Sequence, residues 1–378
     1  MRIAIDASPA IPPRTGIGCY AYQLIRHLAG IINQTDDELL LFYNYFRHGK
    51  ALPAELNELG RVRVSRIPCR VQRMLHNSIG IPIEPFIGKA DVFHSLNYMV
   101  PPTLFAKQVV SIHDLTFVFY PETMPAGDAA YFNKFVPVAA RRADRVITIS
   151  ESSKRDLVTL LGIDESKIVV THMAADCNVK PIEDSSILDT VRNTYALPQE
   201  YILYVGTLEP RKNIPFLIDA FSALKQQHLI PHKLVIAGKK GWLYGEIFKK
   251  VTEIGLENEI VFTGFVEDVD LAALHSAASV FVFPSLYEGF GIPPLEAMAC
   301  GTPVVVSNTS SSLEVVADAG ILLEPHDVGA WVEAIYAVVT KPELAAGLKG
   351  KGIERSKLFS WDKTAQLTYD VYRKVCGC

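Results

Sequence analysis

The sequence predicts an α/β protein built as two Rossmann-like halves, each a doubly wound parallel sheet, facing each other across a cleft. Three observations predict it. The chain has 378 residues, too many for one ordinary domain and suited to two. Short apolar, β-branched runs alternate with helix-spaced segments along the whole length, the pattern of buried parallel strands and crossover helices. A strand, a glycine-containing loop and a helix recur in that order in both halves, the layout that brings backbone N–H groups to a phosphate.

Residues 1–6 (MRIAID) read as a buried first strand, followed by the loop Pro9–Gly18 and a helical pattern over Tyr20–Leu28. Within that loop, Thr15-Gly16-Ile17-Gly18 is either an ordinary tight βα turn or a phosphate approach. Glu38–Tyr45 and Val62–Ile67 are further strands. Arg61, Arg63, Arg66, Arg70 and Arg73 are interleaved with Val, Ile and Met, which gives either a solvated face or a contact with an acceptor or anionic membrane. Ala90–Leu96, Gln108–His113 and Arg145–Ser150 continue the sheet, with Ser150 or Ser152 capping the next helix. His113 and Asp114 fall where a strand ends, the place where open α/β sheets bind ligands. The pair also reads as a structural cap.

The polar stretch Ala174–Gln199 reads as a linker, so the domains are 1–180, 195–358 and a terminal helix at 359–378. Tyr201–Val205 opens the second sheet. Arg211 and Lys212 then sit at a helix start, where cations oppose the helix dipole unless an anion is bound. Lys233–Gly238, Glu259–Thr263, Ser279–Phe283 and Val304–Ser307 are its further strands. Between the last two lies Pro284–Gly301 (PSLYEGFGIPPLEAMACG), a loop bearing Glu288 and then a helix opened by Pro293-Pro294. Spacing puts Glu296 in the first turn of that helix. Two carboxylates beside a helix N-terminus suit the hydroxyl groups of a sugar or ribose; a dipole complement and a solvated loop charge are the plainer reading.

Composition narrows the classes. The hydrophobic fraction is 49% and mean hydropathy is +0.18, a well-buried globular chain. No apolar run reaches the roughly 18 residues of a spanning helix, and the first residues lack the pattern of a signal peptide. The six cysteines show no C-x-x-C spacing, which fits a reduced, cytoplasmic protein and speaks against zinc. Residues 1–180 carry 20 Lys+Arg against 17 Asp+Glu, and residues 181–378 carry 17 against 24. That balance does not suit nucleic acid.

Seven residues separate Glu288 from Glu296 within EGFGIPPLEAMACGTPVV, and the run resembles the E-x7-E signature of retaining glycosyltransferases of family 4. The GTLEPRKN run at 206–213, SIHDLTF at 111–117 and TGIG at 15–18 are similar to further motifs of that family. The resemblance is dense over 201–320 and looser over 30–90. Two departures are Thr207, where several members have Arg, and Ser310–Val315, which lacks the usual proline.

The resemblance implies the GT-B fold and transfer of a hexose from a nucleotide sugar to a saccharide or lipid-linked acceptor in surface polysaccharide synthesis. GDP-mannose leads as donor, with UDP-glucose or another UDP-sugar next. It implies His113 and Glu288 at the transferred sugar. Gly16, Gly18, Asp114, Arg211, Lys212, Gly264, Phe265, Val266, Gly289, Phe290, Gly291 and Glu296 would hold the nucleotide sugar. It implies no cofactor and no divalent metal, a cytoplasmic enzyme, and a terminal helix that returns to the first domain. A GT-B epimerase and a non-catalytic two-lobed sugar-binding protein are the alternatives.

Overall fold

The computed structural model describes residues 1–12, 14, 16–44, 54–125 and 127–378; side chains 69 and 77 are outside the description. Thr15 and Tyr45, named in the sequence analysis, therefore lie outside the described residues. Two compact units emerge. One comprises the described residues of Met1–Phe119, Gly127–Met173 and Ser360–Cys378; the other comprises those of Tyr120–Ala126 and Ala174–Phe359.

The first unit holds seven described strands: β1 (Arg2–Asp6), β2 (Glu38–Asn44), β3 (Arg61–Ser65), β4 (Val92–Ser95), β5 (Lys107–Ser111), β6 (Arg145–Thr148) and β7 (Ile168–Val170). Their order is β3-β2-β1-β4-β5-β6-β7, and every pairing is parallel. The second unit holds β8 (Tyr201–Val205), β9 (Lys233–Ala237), β10 (Ile260–Gly264), β11 (Val280–Phe283), β12 (Val304–Ser307) and β13 (Ile321–Leu323). They run β10-β9-β8-β11-β12-β13, again all parallel. Each sheet reverses its winding once, between β1 and β4 and between β8 and β11.

The central strands are apolar because helices cover both faces. Every residue of β4, β11 and β12 is buried. β3, at the edge, is exposed or half-buried throughout, which is why its Arg-Val-Arg-Val alternation is tolerated.

Three expectations are corrected. The first helix starts earlier, at Gly16–Ile32, so Gly16 and Gly18 lie in its first turn rather than in the preceding loop. A side chain at Gly18 would place its Cβ 2.9 Å from the Pro9 carbonyl oxygen, so close backbone packing needs glycine there. The polar linker contains an eleven-residue helix, Ser185–Tyr195, capped by the Asp184 carboxylate and seated through Val191. Its apolar stripe is narrow, so polarity hid it. Glu296 is the fifth residue of helix Ile292–Ala299 and stands in the second turn, because Ile292 precedes the two prolines into the helix. Ser150 caps Glu151–Leu161, its Oγ accepting from the Ser153 N–H.

The C-terminal helix, Trp361–Cys376, belongs to the first unit and buries Trp361, Ala365, Tyr369 and Tyr372 there. The Tyr372 hydroxyl and His94 Nδ1 lie 2.6 Å apart, and Ser111 Oγ bridges His94 Nε2 (2.9 Å) to the Tyr20 hydroxyl (3.0 Å). Burial drives His94 down to about 3, so the ring is neutral. Tyr372→Phe strands the Nδ1 of His94 in the core. It should cost about 1–3 kcal/mol, read as an earlier urea transition for the first unit.

Candidate active site

In a doubly wound sheet the crevice for a ligand opens at the carboxyl ends of the strands flanking the reversal. In the second unit those strands are β8 and β11. The loop after β8 carries Glu209, Arg211 and Lys212; the loop after β11 carries Ser285, Tyr287 and Glu288. Adjacent strands thus deliver both loops to one place.

There they interlock. Lys212 Nζ donates to Glu288 Oε1 at 2.6 Å, and Arg211 Nη1 lies 3.0 Å from Glu288 Oε2. Arg211 Nη2 donates to Glu209 Oε1 at 2.8 Å, and its Nη1 also meets the Tyr287 carbonyl. Ser285 Oγ donates to Glu288 Oε1 at 2.6 Å, and the Leu286 N–H donates to the Arg211 carbonyl at 3.0 Å. Two cations face two carboxylates, all four nearly buried.

Burial alone would raise the Glu288 carboxyl. The charges of Arg211 and Lys212, with hydrogen bonds from Lys212 and Ser285, overcome burial and bring it down to about 2. Burial lowers Lys212, with Glu288 opposing that shift. The cluster thus sets two formal positive charges against two formal negative ones, with Glu288 held ionised.

The serine loop that lacks proline clamps the same glutamate by its backbone. The Glu288 N–H donates to Ser310 Oγ at 2.8 Å, and Ser311 Oγ donates to the Glu288 carbonyl at 3.0 Å. Ser310 itself has φ +45°. Glu209, Ser285, Ser310 and Ser311 are the residues that motif reading missed. The signal for Glu209 was its place two residues before Arg211.

Gly289, Phe290 and Gly291 are buried beyond Glu288. Gly291 caps helix Ile292–Ala299 with φ +93°, a conformation that favours glycine. Glu296 is half-buried; burial first, then the negative charges of Asp268 and Asp176, raise its carboxyl to about 7. Gly264 closes β10 at φ +72°, Phe265 is exposed and Val266 is buried. Arg211, Lys212 and Glu288 are thus brought together, while Glu296 sits in a separate acidic setting of the same unit.

In the first unit, His113 lies two residues past β5, almost fully buried, and its Nε2–H donates to the Leu96 carbonyl at 2.9 Å. Tyr20 and Tyr98 pack edge-on against its ring, with centroids at 4.8 and 5.6 Å. Burial lowers its pKa, so the ring is neutral and Nδ1 carries no proton. Asp114 performs a local duty: its Oδ1 accepts from the Thr116 N–H (2.9 Å) and the Tyr98 hydroxyl (3.0 Å), opening helix Thr116–Phe119. Gly16 is exposed in the first turn of its helix. Among the described residues no group of three or more His, Cys, Asp or Glu is arranged to hold a metal.

Comparison with known proteins places this arrangement. Residues 190–355 match the glycosyl transferases group 1 family and residues 15–179 match glycosyltransferase family 4. The chain is 31% identical over 392 residues to the O-antigen chain mannosyltransferase B of Escherichia coli, covering 99% of this chain and 100% of that protein. It belongs to the family-4 glycosyltransferases. The serotype-specific mannosyltransferase WbdA of Escherichia coli is 33% identical over 248 residues, 65% of this chain; the match spans 30% of WbdA.

Solved structures confirm the GT-B fold of this glycosyltransferase. A sucrose-phosphate synthase from Thermosynechococcus elongatus superposes with a TM-score of 0.80 at 22% identity, covering 99% of both chains. The Anabaena protein HepE, solved with UDP-glucose, superposes with a TM-score of 0.74 at 20% identity, covering 98% of both.

Glu288→Ala in this glycosyltransferase leaves Lys212 buried without its counter-ion. Breaking a buried pair from one side costs about 3–5 kcal/mol, so the second unit should unfold at markedly lower urea. Unchanged stability would mean that the quartet does not hold the two loops together.

Proposed function

We propose that this glycosyltransferase moves a mannosyl residue from GDP-mannose, with a UDP-sugar as second choice, to a saccharide or lipid-linked acceptor, with retention of anomeric configuration. The setting is surface polysaccharide synthesis at the cytoplasmic face of a membrane. The observation that carries the proposal is the Arg211–Lys212–Glu288 cluster at the reversal of the second sheet. The mannosyl choice draws on the names of the relatives.

The chemistry follows from the charges. The departing nucleoside diphosphate gains negative charge, and fixed donors at that point lower the barrier. Arg211, Lys212 and the backbone N–H groups of Gly289, Phe290 and Gly291, at the N-terminus of helix Ile292–Ala299, are our candidates for that work, without a divalent metal. An ionised carboxylate has about four acceptor sites. Lys212, Arg211 and Ser285 take three of them on Glu288, leaving capacity for a hydroxyl of the transferred sugar. We assign Gly264, Phe265 and Val266 to the base and Glu296 to the ribose hydroxyls. His113, held neutral by burial, would sit near the anomeric carbon without repelling the positive charge that develops there. Its unprotonated Nδ1 would accept from a sugar hydroxyl. Gly16 and Gly18 would offer the diphosphate the first-turn N–H groups of their helix. In this assignment Asp114 acts indirectly, through the turn that it closes.

The test is a panel of GDP-mannose, UDP-glucose and other UDP-sugars in EDTA, with a mannose-terminated oligosaccharide as acceptor. GDP release should exceed UDP release at least tenfold, and NMR should show an α-linked product. Turnover that required added Mg²⁺ or Mn²⁺ would remove the metal-free step; release of UDP with an epimerised free sugar would replace transfer by epimerisation.

Glu296 supplies a pH signature. Its carboxyl is raised from 4.5 to about 7 in the folded chain, so it is protonated below that point and ionised above it. The ionised form is the stronger acceptor for ribose hydroxyls. Affinity for GDP-mannose, whose phosphates do not titrate in this range, should rise as pH passes from 6 to 8. Glu296→Gln should flatten the profile and bind about tenfold more weakly at pH 8. Calorimetry that found the same slope in both proteins would rule out Glu296 as the ribose ligand.

A further inference from the structure

We infer that the segment Arg61–Gly80 of the first unit is a docking surface for a bilayer carrying anionic headgroups. This extends the lipid-linked acceptor reading. From Arg61 to Gly80 the sequence has five arginines and no aspartate or glutamate, in a chain of net charge −4. All five arginines are exposed. Interleaved with them, Val64, Val71, Met74 and Ile79 are also exposed, by 46%, 39%, 48% and 61%.

The segment is fixed to the sheet on its other side. Asn44, buried at the end of β2, exchanges hydrogen bonds of 3.1 Å with the backbone of Ile67 and also meets the Gln72 side chain. The buried His76 donates Nδ1–H to the Ile81 carbonyl at 2.7 Å and packs on Phe86. Helix Cys69–Arg73 and the π turn Met74–Ile79 therefore stand as a held platform at the carboxyl end of β2 and β3, not a loose charged loop.

The charges facing it are few. Arg61 lies 3.8 Å from Glu38, and Arg73 stacks over the Tyr131 ring at 4.7 Å. Among the described residues, Arg63, Arg66 and Arg70 make no ion pair. Arginines alone would suit any polyanion. Apolar side chains standing among them gain free energy only where a hydrocarbon boundary lies beside the negative charge, which is the chemistry of a lipid surface.

The test uses the full chain and sedimentation with vesicles, with no sugar donor present, so it is independent of the donor assignment. Vesicles of one part phosphatidylglycerol to three parts phosphatidylcholine should bind; pure phosphatidylcholine should not. Each arginine near the surface contributes about fivefold to partitioning. The triple variant Arg66→Gln, Arg70→Gln, Arg73→Gln should therefore bind about a hundredfold more weakly, with an unchanged circular dichroism spectrum and melting temperature. Val71→Ser with Met74→Ser and Ile79→Ser should also weaken binding, including at high salt, where the charge contribution is screened. Equal binding to neutral vesicles, unchanged binding by the arginine variant, or release from vesicles by a soluble mannose oligosaccharide would overturn the inference.

Discussion

The second unit depends on one arrangement of charge. A lysine and an arginine are taken out of water beside two carboxylates, and none of the four is tolerable there alone. Because each cation follows β8 and Glu288 follows β11, satisfying the charges also fixes the spacing of two loops that are far apart in sequence. The all-parallel sheet makes this possible. Its winding reverses between those two strands, so no crossover helix blocks the space at their carboxyl ends.

The formal charges of the quartet balance, yet it is not inert. Its dipoles are set before any ligand arrives, since Glu288 is gripped by two cations, two serine hydroxyls and the hydroxyl of Ser285. Positions held so firmly cost little reorganisation when charge develops nearby, the property that electrostatic catalysis requires. Glu296 has the opposite environment, with carboxylates rather than cations as neighbours. Two glutamates of one motif are driven apart in acidity, one to about 2 and the other to about 7, by what surrounds them.

In the first unit the corresponding theme is neutrality. His94 and His113 are both buried, and each is held by uncharged partners: His94 by Tyr372 and Ser111, His113 by the Leu96 carbonyl and two tyrosine rings. The C-terminal helix contributes Tyr372 to this network, and Tyr369 donates to Asp37 at 2.6 Å, tying the last residues to the end of the first crossover. The chain's terminus is thereby part of the core that positions His113.

Local pattern was enough for most of the architecture. Apolar runs such as YILYV at 201–205 and VFVF at 280–283 admit little besides buried strands, because a parallel sheet covered on both faces needs continuous rather than alternating apolar residues. Capping chemistry is local too, and it located Ser150; the prolines Pro293-Pro294 located the start of helix Ile292–Ala299 to within one residue. Helix starts at Gly16 and Ser185 escaped, since glycine pairs and polar runs imitate loops when the packing partner is unknown. The wording around Glu288, Glu296, Arg211 and Lys212 marked them as site residues. Sequence spacing treated the two glutamates as a pair and the two cations as waiting for an anion. Only the tertiary structure decided that Glu288 belongs with Arg211 and Lys212 while Glu296 stands among acids. That choice depends on which strands become neighbours across a sequence separation of 76, and on how much water burial removes. Neither quantity is a property of a short stretch of chain.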